Sequence, residues 1–90
     1  MTKHPSAQKR HRQSLKRHAR NQAIRSRVRT VVRRVRESIE TSNSGEARQH
    51  LQSATRAIDT AVTKGVIHRN TAARKISRLT RAVQKLATSA

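Results

Sequence analysis

Residues 24–39 read IRSRVRTVVRRVRESI. Ile24, Val28, Val31, Val35 and Ile39 recur at steps of three or four, Val32 sits alongside, and every position between them is polar or charged. A half-buried strand would alternate every second residue. Steps of three and four instead gather all six side chains on one stripe of an α-helix, and such a stripe is ordinarily core that a partner must cover.

The partners lie downstream. Ala47, Leu51, Ala54, Ile58 and Val62 repeat the spacing in a second segment from about Glu46 to Lys64. Ala72, Ile76, Leu79, Val83 and Leu86 repeat it in a third that begins near Asn70 and reaches the last few residues. Pro5, Gly45 and Gly65 are the only proline and glycines. They punctuate the chain accordingly: the first helix opens at Pro5 and Ser6 and fades in TSNSGE (41–46), the second stops at Gly65, and Asn70 is a capable N-cap for the third. No window alternates as a strand would. The expected fold is all-α, a small three-helix bundle of antiparallel style with short loops.

Followed backwards from Ile24, the stripe lands on Asn21, Arg17, Ser14 and Arg10 and ceases to be apolar. No helix breaker interrupts residues 6–22, so the first helix is expected to run on as a basic arm of about 25 Å projecting past a bundle formed by residues 23–88. The whole chain, 1–90, reads as one domain. An isolated cationic helix is poorly stable, because like charges three and four apart repel and most helix stability comes from packing. The arm is therefore expected to fray when free and to order on a polyanion.

The charge plan points the same way. The net charge is +18, and the four acids, Glu37, Glu40, Glu46 and Asp59, all lie in the middle of the chain, leaving 1–36 and 67–90 purely cationic. Such self-repulsion works against compaction and calls for a negative partner. Phe, Tyr, Trp and Cys are absent and only 32% of residues are hydrophobic, so the core is thin. Binding that favours the folded form would add to its stability. Lack of cysteine excludes a disulfide scaffold and thiol catalysis, and suits a reducing interior. No apolar run approaches the ~20 residues of a membrane span, and no secretory hydrophobic region exists. The acid-free N-terminus has the composition of an organellar transit peptide, but the C-terminal block carries the same chemistry where no such peptide would sit.

Sixteen of the 22 cations are Arg, whose planar fork grips two phosphate oxygens at once, a choice that favours nucleic acid over a membrane surface. The candidate contacts on the arm are Lys9, Arg10, Arg12, Lys16, Arg17 and Arg20. Beyond it, Arg25, Arg27, Arg29, Arg33, Arg34 and Arg36 occupy the arc opposite the apolar stripe. On the third helix Arg74, Arg78, Arg81 and Lys85 fall within a sector of about 60° away from its seam, with Arg69 and Lys75 as further contacts. Acids are missing from both faces, so phosphate contact is preferred to a merely solvated surface. Without aromatic residues, base stacking on Phe or Tyr platforms is excluded. The target is structured RNA or duplex DNA, recognised by backbone and shape.

Catalysis and metal binding find no support. His4, His11 and His18 recur every seven residues, about 10.5 Å apart on a helix, too far for one metal ion with ~2 Å bonds. Glu37 and Glu40 are better explained as exposed partners of Arg33 and Arg36, each four residues earlier, than as paired catalytic carboxylates. No Gly-rich phosphate loop, Ser/His/Asp arrangement or HExxH pattern is present. No enzyme, cofactor, metal or catalytic residue is expected.

One passage is more specific than composition. KGVIHRNTAARKISRLTRAVQKL (64–86) closely resembles the family of protein twenty of the bacterial small ribosomal subunit, matching its pattern at Lys64, Gly65, Ile67, His68, Asn70, Ala72, Ala73 and Arg74, with Arg69 in place of the usual Lys. RSRVRTVVRRV (25–35) is similar to the family's first-helix stretch at Arg25, Ser26, Arg29 and Thr30. The match weakens in the second helix, and Lys3, His4, Pro5, Ser6 and Ala7 depart from the family's usual Asn-Ile-Lys-Ser-Ala opening. The resemblance implies a three-helix bundle that binds small-subunit ribosomal RNA directly, in the 5′ domain and near the penultimate stem, and acts early in assembly. It implies a monomer within a cytoplasmic bacterial ribosome, or an organellar one, beside other ribosomal components and away from membranes. Carried over residue by residue, it makes His68, Asn70 and Arg74 RNA contacts, together with Arg25 and Arg29; a helix N-cap is the competing role for Asn70, and a loop residue packed on the hairpin the competing role for His68. From composition alone, a nucleoid-type protein coating duplex DNA and a cationic membrane-surface helix stay open as alternatives.

Overall fold

The computed structural model describes residues 5–88 and consists of three helices, α1 (Pro5–Glu40), α2 (Ser44–Thr63) and α3 (Arg69–Thr88). Lys3 and His4 lie outside the described residues. Among the described residues there is no strand. The expected bundle with a long first helix is the observed architecture.

α2 begins two residues before the expected start, and the reason is its cap. The Oδ1 of Asn43 accepts the Glu46 amide at 3.1 Å, so the helix starts at Ser44 and takes Gly45 into its first turn. α3 begins at Arg69 rather than Asn70, for a similar reason described below.

Both interhelical turns are closed by the same hydrogen-bond pattern. After α2, the Gly65 amide donates to Val62 O and the Val66 amide to Ala61 O, each at 2.9 Å, with Gly65 at φ 74°. After α1, the Ser42 amide donates to Ile39 O at 3.0 Å and the Asn43 amide to Ser38 O at 2.9 Å, with Ser42 at φ 57°. These are Schellman closures, which satisfy the last carbonyls of a helix by putting one residue in the left-handed region. Gly65 was legible as such a residue. The turn after α1 instead uses a serine, and the nearby Gly45 is not the turning point.

The core is the set of three stripes. Val28, Val31 and Val35 are buried from α1, Ala47, Ala54 and Ile58 from α2, and Ala72, Leu79 and Val83 from α3, while Ile24, Val32, Ile39, Leu51, Val62, Ile76 and Leu86 pack half-buried around them. Ala57 and Ala61 of α2 are buried as well. The five buried core residues of α2 are thus four alanines and one isoleucine, which lets both neighbours approach its axis. α2 packs closely on α1 and on α3, and the direct α1–α3 contact is the thinnest of the three. Ser38, the one buried polar residue described, donates its hydroxyl to Arg34 O at 2.9 Å. Ile67, at the start of the returning strand of chain, lies beside Arg25 and Val28, and Ala82 lies beside Arg36 and Ile39. α3 therefore runs parallel to α1, with α2 antiparallel to both.

That register explains where the stripe of α1 stops. Ile67 in the 64–68 turn lies at the level of Arg25 and Val28, and Asn21 is the first described residue of α1 that is half-buried. Residues 6–20 are all exposed, and Leu15 keeps 56% of its surface. The molecule measures 69 × 22 × 14 Å, and α1, whose 36 residues span about 54 Å, supplies most of that length.

Candidate nucleic-acid interface

Every candidate contact proposed from sequence is exposed: Lys9, Arg10, Arg12, Lys16, Arg17 and Arg20 on the arm; Arg25, Arg27, Arg29, Arg33 and Arg34 on the bundle part of α1; His68 and Arg69, Asn70, Arg74, Lys75, Arg78 and Arg81 at and along α3. Countercharge is nearly absent from this surface. Among the described residues the single ion pair is Arg33 Nε to Glu37 Oε1 at 3.8 Å, with both side chains more than 60% exposed. A pair that open to water is worth little. The corresponding pair between Arg36 and Glu40 is not formed.

The arc of arginines on α1 resolves into two edges. Arg25, Arg29 and Arg36 project on the α3 side. Arg34, about 180° around the helix from Arg25, instead overlooks a shallow depression shared with Glu37, Ser38, Thr41, Glu46 and His50. Arg34, like Arg33, therefore stands near acids, which weakens its electrostatic pull on a phosphate. Arg27 lies on the same side of α1 as Arg34 by helical rotation.

On the α3 side the cations converge. Because α1 and α3 are both drawn toward the alanine face of α2 and touch each other thinly, a cleft stays open between them. Lys75 is its centre, facing Arg25 and Arg29 at one end and Arg29, Arg33 and Arg36 along its length. Arg36, Lys75 and Arg78 close the other end. Arg36, placed by the sequence on the arginine arc and expected to pair with Glu40, lines this cleft without that pair. By rotation at about 100° per residue Arg36 shares the angular sector of Arg25 and Arg29. The guanidinium groups on these faces make local hydrogen bonds, such as Arg29 Nη2 to Ser26 Oγ at 3.4 Å and Arg81 Nη2 to Ser77 Oγ at 3.0 Å.

At the start of α3 the roles of His68 and Asn70 are distinct. The Nδ1 of His68 accepts the Asn70 amide at 3.1 Å, and the His68 carbonyl accepts the Ala72 amide at 3.0 Å, so His68 occupies the N-cap position. The cap expected from Asn70 is thus supplied by a ring nitrogen two residues earlier. Asn70 contributes only its amide to that bond and keeps an exposed side chain. No group of three or more His, Cys, Asp or Glu among the described residues is arranged to hold a metal ion, and no helix is long and apolar enough to cross a membrane.

Comparison with known proteins extends over nearly the whole chain. The sequence model of the family described as "Ribosomal protein S20" matches residues 2–84. The chain is similar to "Small ribosomal subunit protein bS20" of Paracoccus denitrificans (strain Pd 1222), with 51% identity over 89 residues that cover 99% of this chain and all of the relative. It is similar to the proteins of the same description from Nitratidesulfovibrio vulgaris (strain DP4), 49% identical over 97% of this chain and all of the relative, and from Geobacter sulfurreducens, 49% identical over 96% of this chain and 99% of the relative.

Proposed function

The chain belongs to the ribosomal protein S20 family of the bacterial small ribosomal subunit, and from that premise we propose that it binds small-subunit ribosomal RNA directly, in the 5′ domain and near the penultimate stem, and supports assembly of the subunit. As a small-subunit protein it works in the cytoplasmic ribosome and is a structural component, not an enzyme. Direct RNA contact is supported by one observation. From Lys9 to Arg36 every cation of α1 is exposed, and of these only Arg33 has an acid partner among the described residues.

The contacts divide by location. The arm, bare on all sides over residues 6–20, inserts between RNA segments, with Lys9, Arg10, Arg12, Lys16, Arg17 and Arg20 reaching phosphates around its whole circumference. Arg25, Arg29 and Arg33 grip a strand laid along the α1–α3 side, opposed by Lys75 and Arg78. Arg69, Arg74 and Arg81, with Asn70, meet RNA on the outer face of α3, and Arg27 and Arg34 flank the far edge of α1. Within this division the arm acts as an ordering device: neutralising its charges removes the repulsion between residues three and four apart, as for basic segments that fold on RNA. Residues 23–88 act as the folded base from which it projects.

The test is a binding titration at several salt concentrations against folded 5′-domain ribosomal RNA, an unrelated folded RNA and duplex DNA. Counterion release makes all three affinities fall with salt, but a shape-selective site keeps a preference that nonspecific phosphate binding lacks. The expected result is tighter binding of the 5′-domain RNA at every salt concentration. Equal binding of all three refutes specific recognition and favours a protein that coats any duplex.

A further inference from the structure

Phosphate binding alone leaves half of the α1–α3 cleft unexplained. Its rim is cationic, but its floor is hydrocarbon: Val28 and Val32 along the middle, Val32, Ile39, Leu79 and Ala82 at the end bounded by Arg36, Lys75 and Arg78. Val32 and Ile39 remain only half-buried there, and Ala82 does too. Apolar surface left in water this way forgoes about 25 cal/mol per Å² of stabilisation. A phosphate gains nothing from methyl groups. An apolar helix or peptide would use the floor, yet would have to desolvate five cations that it cannot pair. One kind of group suits both halves, a nucleotide, whose base presents a flat and weakly hydrated face while the chain on either side of it is anionic.

We propose that the more enclosed end of this cleft, bounded by Arg36, Lys75 and Arg78, is a site for one unstacked base of an RNA strand. The base lies against Val32, Ile39, Leu79 and Ala82, and the phosphates flanking it are held by Arg36, Lys75 and Arg78. This rests on the chain's being an RNA binder and adds where a base, rather than backbone alone, is held. In a protein without aromatic residues the second face of the base is covered by a guanidinium plane, for which Arg36 and Arg78 on opposite walls are placed. Arg25 and Arg29 then continue the phosphate track along α1. From Arg25 to Arg36 the track is about 17 Å long at 1.5 Å per residue, room for roughly five nucleotides at 3.4 Å per stacked step. The base site forms only where the strand leaves its stack, so it selects a bulge or a loop over a continuous duplex.

The experiment compares two fluorescent probes on the full-length protein at low salt: pentauridylate, and a pentamer of the same ribose-phosphate chain lacking all bases. Both carry the same charge. Wild-type protein is expected to bind pentauridylate roughly fivefold more tightly, the low end of what a base gains on an aromatic ring. Ala82→Gln fills the cleft without altering charge, and is expected to abolish that difference while leaving affinity for the baseless pentamer unchanged. Val32→Thr, which keeps the shape of the floor but adds a hydroxyl, serves as a second variant if Ala82→Gln melts early, and is expected to shrink the difference. Equal binding of the two probes by wild-type protein overturns the base site and leaves phosphate recognition standing. Persistence of the full difference in the variants also overturns it, because the base is then held elsewhere. Loss of binding to both probes and to ribosomal RNA overturns RNA recognition itself.

Discussion

Ser42 carries a backbone conformation that favours glycine. Its φ of 57° closes α1, and a Cβ in the left-handed region costs an L-residue about 1 kcal/mol or more. Ser42→Gly is therefore expected to stabilise the bundle by about 1 kcal/mol, less whatever the added freedom of the unfolded chain takes back. A thermal or urea melt of the variant beside wild type checks this, and unchanged or lowered stability would show that the serine side chain compensates. The start of α3 supplies a paired case. His68→Ala removes the ring that accepts the Asn70 amide and is expected to cost roughly 0.5–1 kcal/mol, whereas Asn70→Ala is expected to leave melting unchanged because its side chain caps nothing. Reversed sensitivities would restore Asn70 as the cap. These single positions were the least legible in the sequence. HRN offers two side chains able to accept an amide hydrogen, and only the backbone path decides which one reaches it. Likewise TSNSG offers four plausible turn residues, and the fold uses the serine for the left-handed position and the asparagine for the cap.

Helices were legible because their periodicity is redundant. One misplaced residue does not shift a stripe defined by five, and all fifteen seam positions together with Val32 prove buried or half-buried. What periodicity could not supply is depth. Ala57 and Ala61 lie beside the seam of α2 and are buried with it, because side chains without bulk let the neighbouring helices close over a wider arc. Alanine is uninformative about facing, whereas a leucine in the same place would have declared itself. The same closeness of α2 to both partners opens the cleft between α1 and α3, so a choice of small residues on one helix sets the geometry of a site on the other two. Leu79 sits where these effects meet, 5% exposed and under the cleft floor. Leu79→Ala is expected to lower stability by about 2–5 kcal/mol, a large part of what a small domain has. Unaltered melting would show that α3 is held by something other than its seam.

Across the whole molecule, fold and interface are separated along its length. Apolar contacts begin at Ile24, where the 64–68 turn ends the bundle, and the preceding residues from 6 to 20 are bare. That division was legible from the point at which the stripe ran out. The convergence of Arg25, Arg29, Arg36, Lys75 and Arg78 was not, since it depends on α3 running parallel to α1 at a particular register. Charge on the arm thus contributes nothing to packing and is free to serve binding. The most direct measurement replaces Arg10, Arg17 and Arg20 together by Gln and follows two quantities in the same variant, the melting of the free protein and the salt dependence of its affinity for folded 5′-domain ribosomal RNA. Affinity is expected to drop and the slope of log affinity against log salt to become shallower by up to about 3, with the melting curve unmoved. A variant that melts markedly earlier, or that binds the RNA with the wild-type slope, would contradict an arm devoted to phosphate contact.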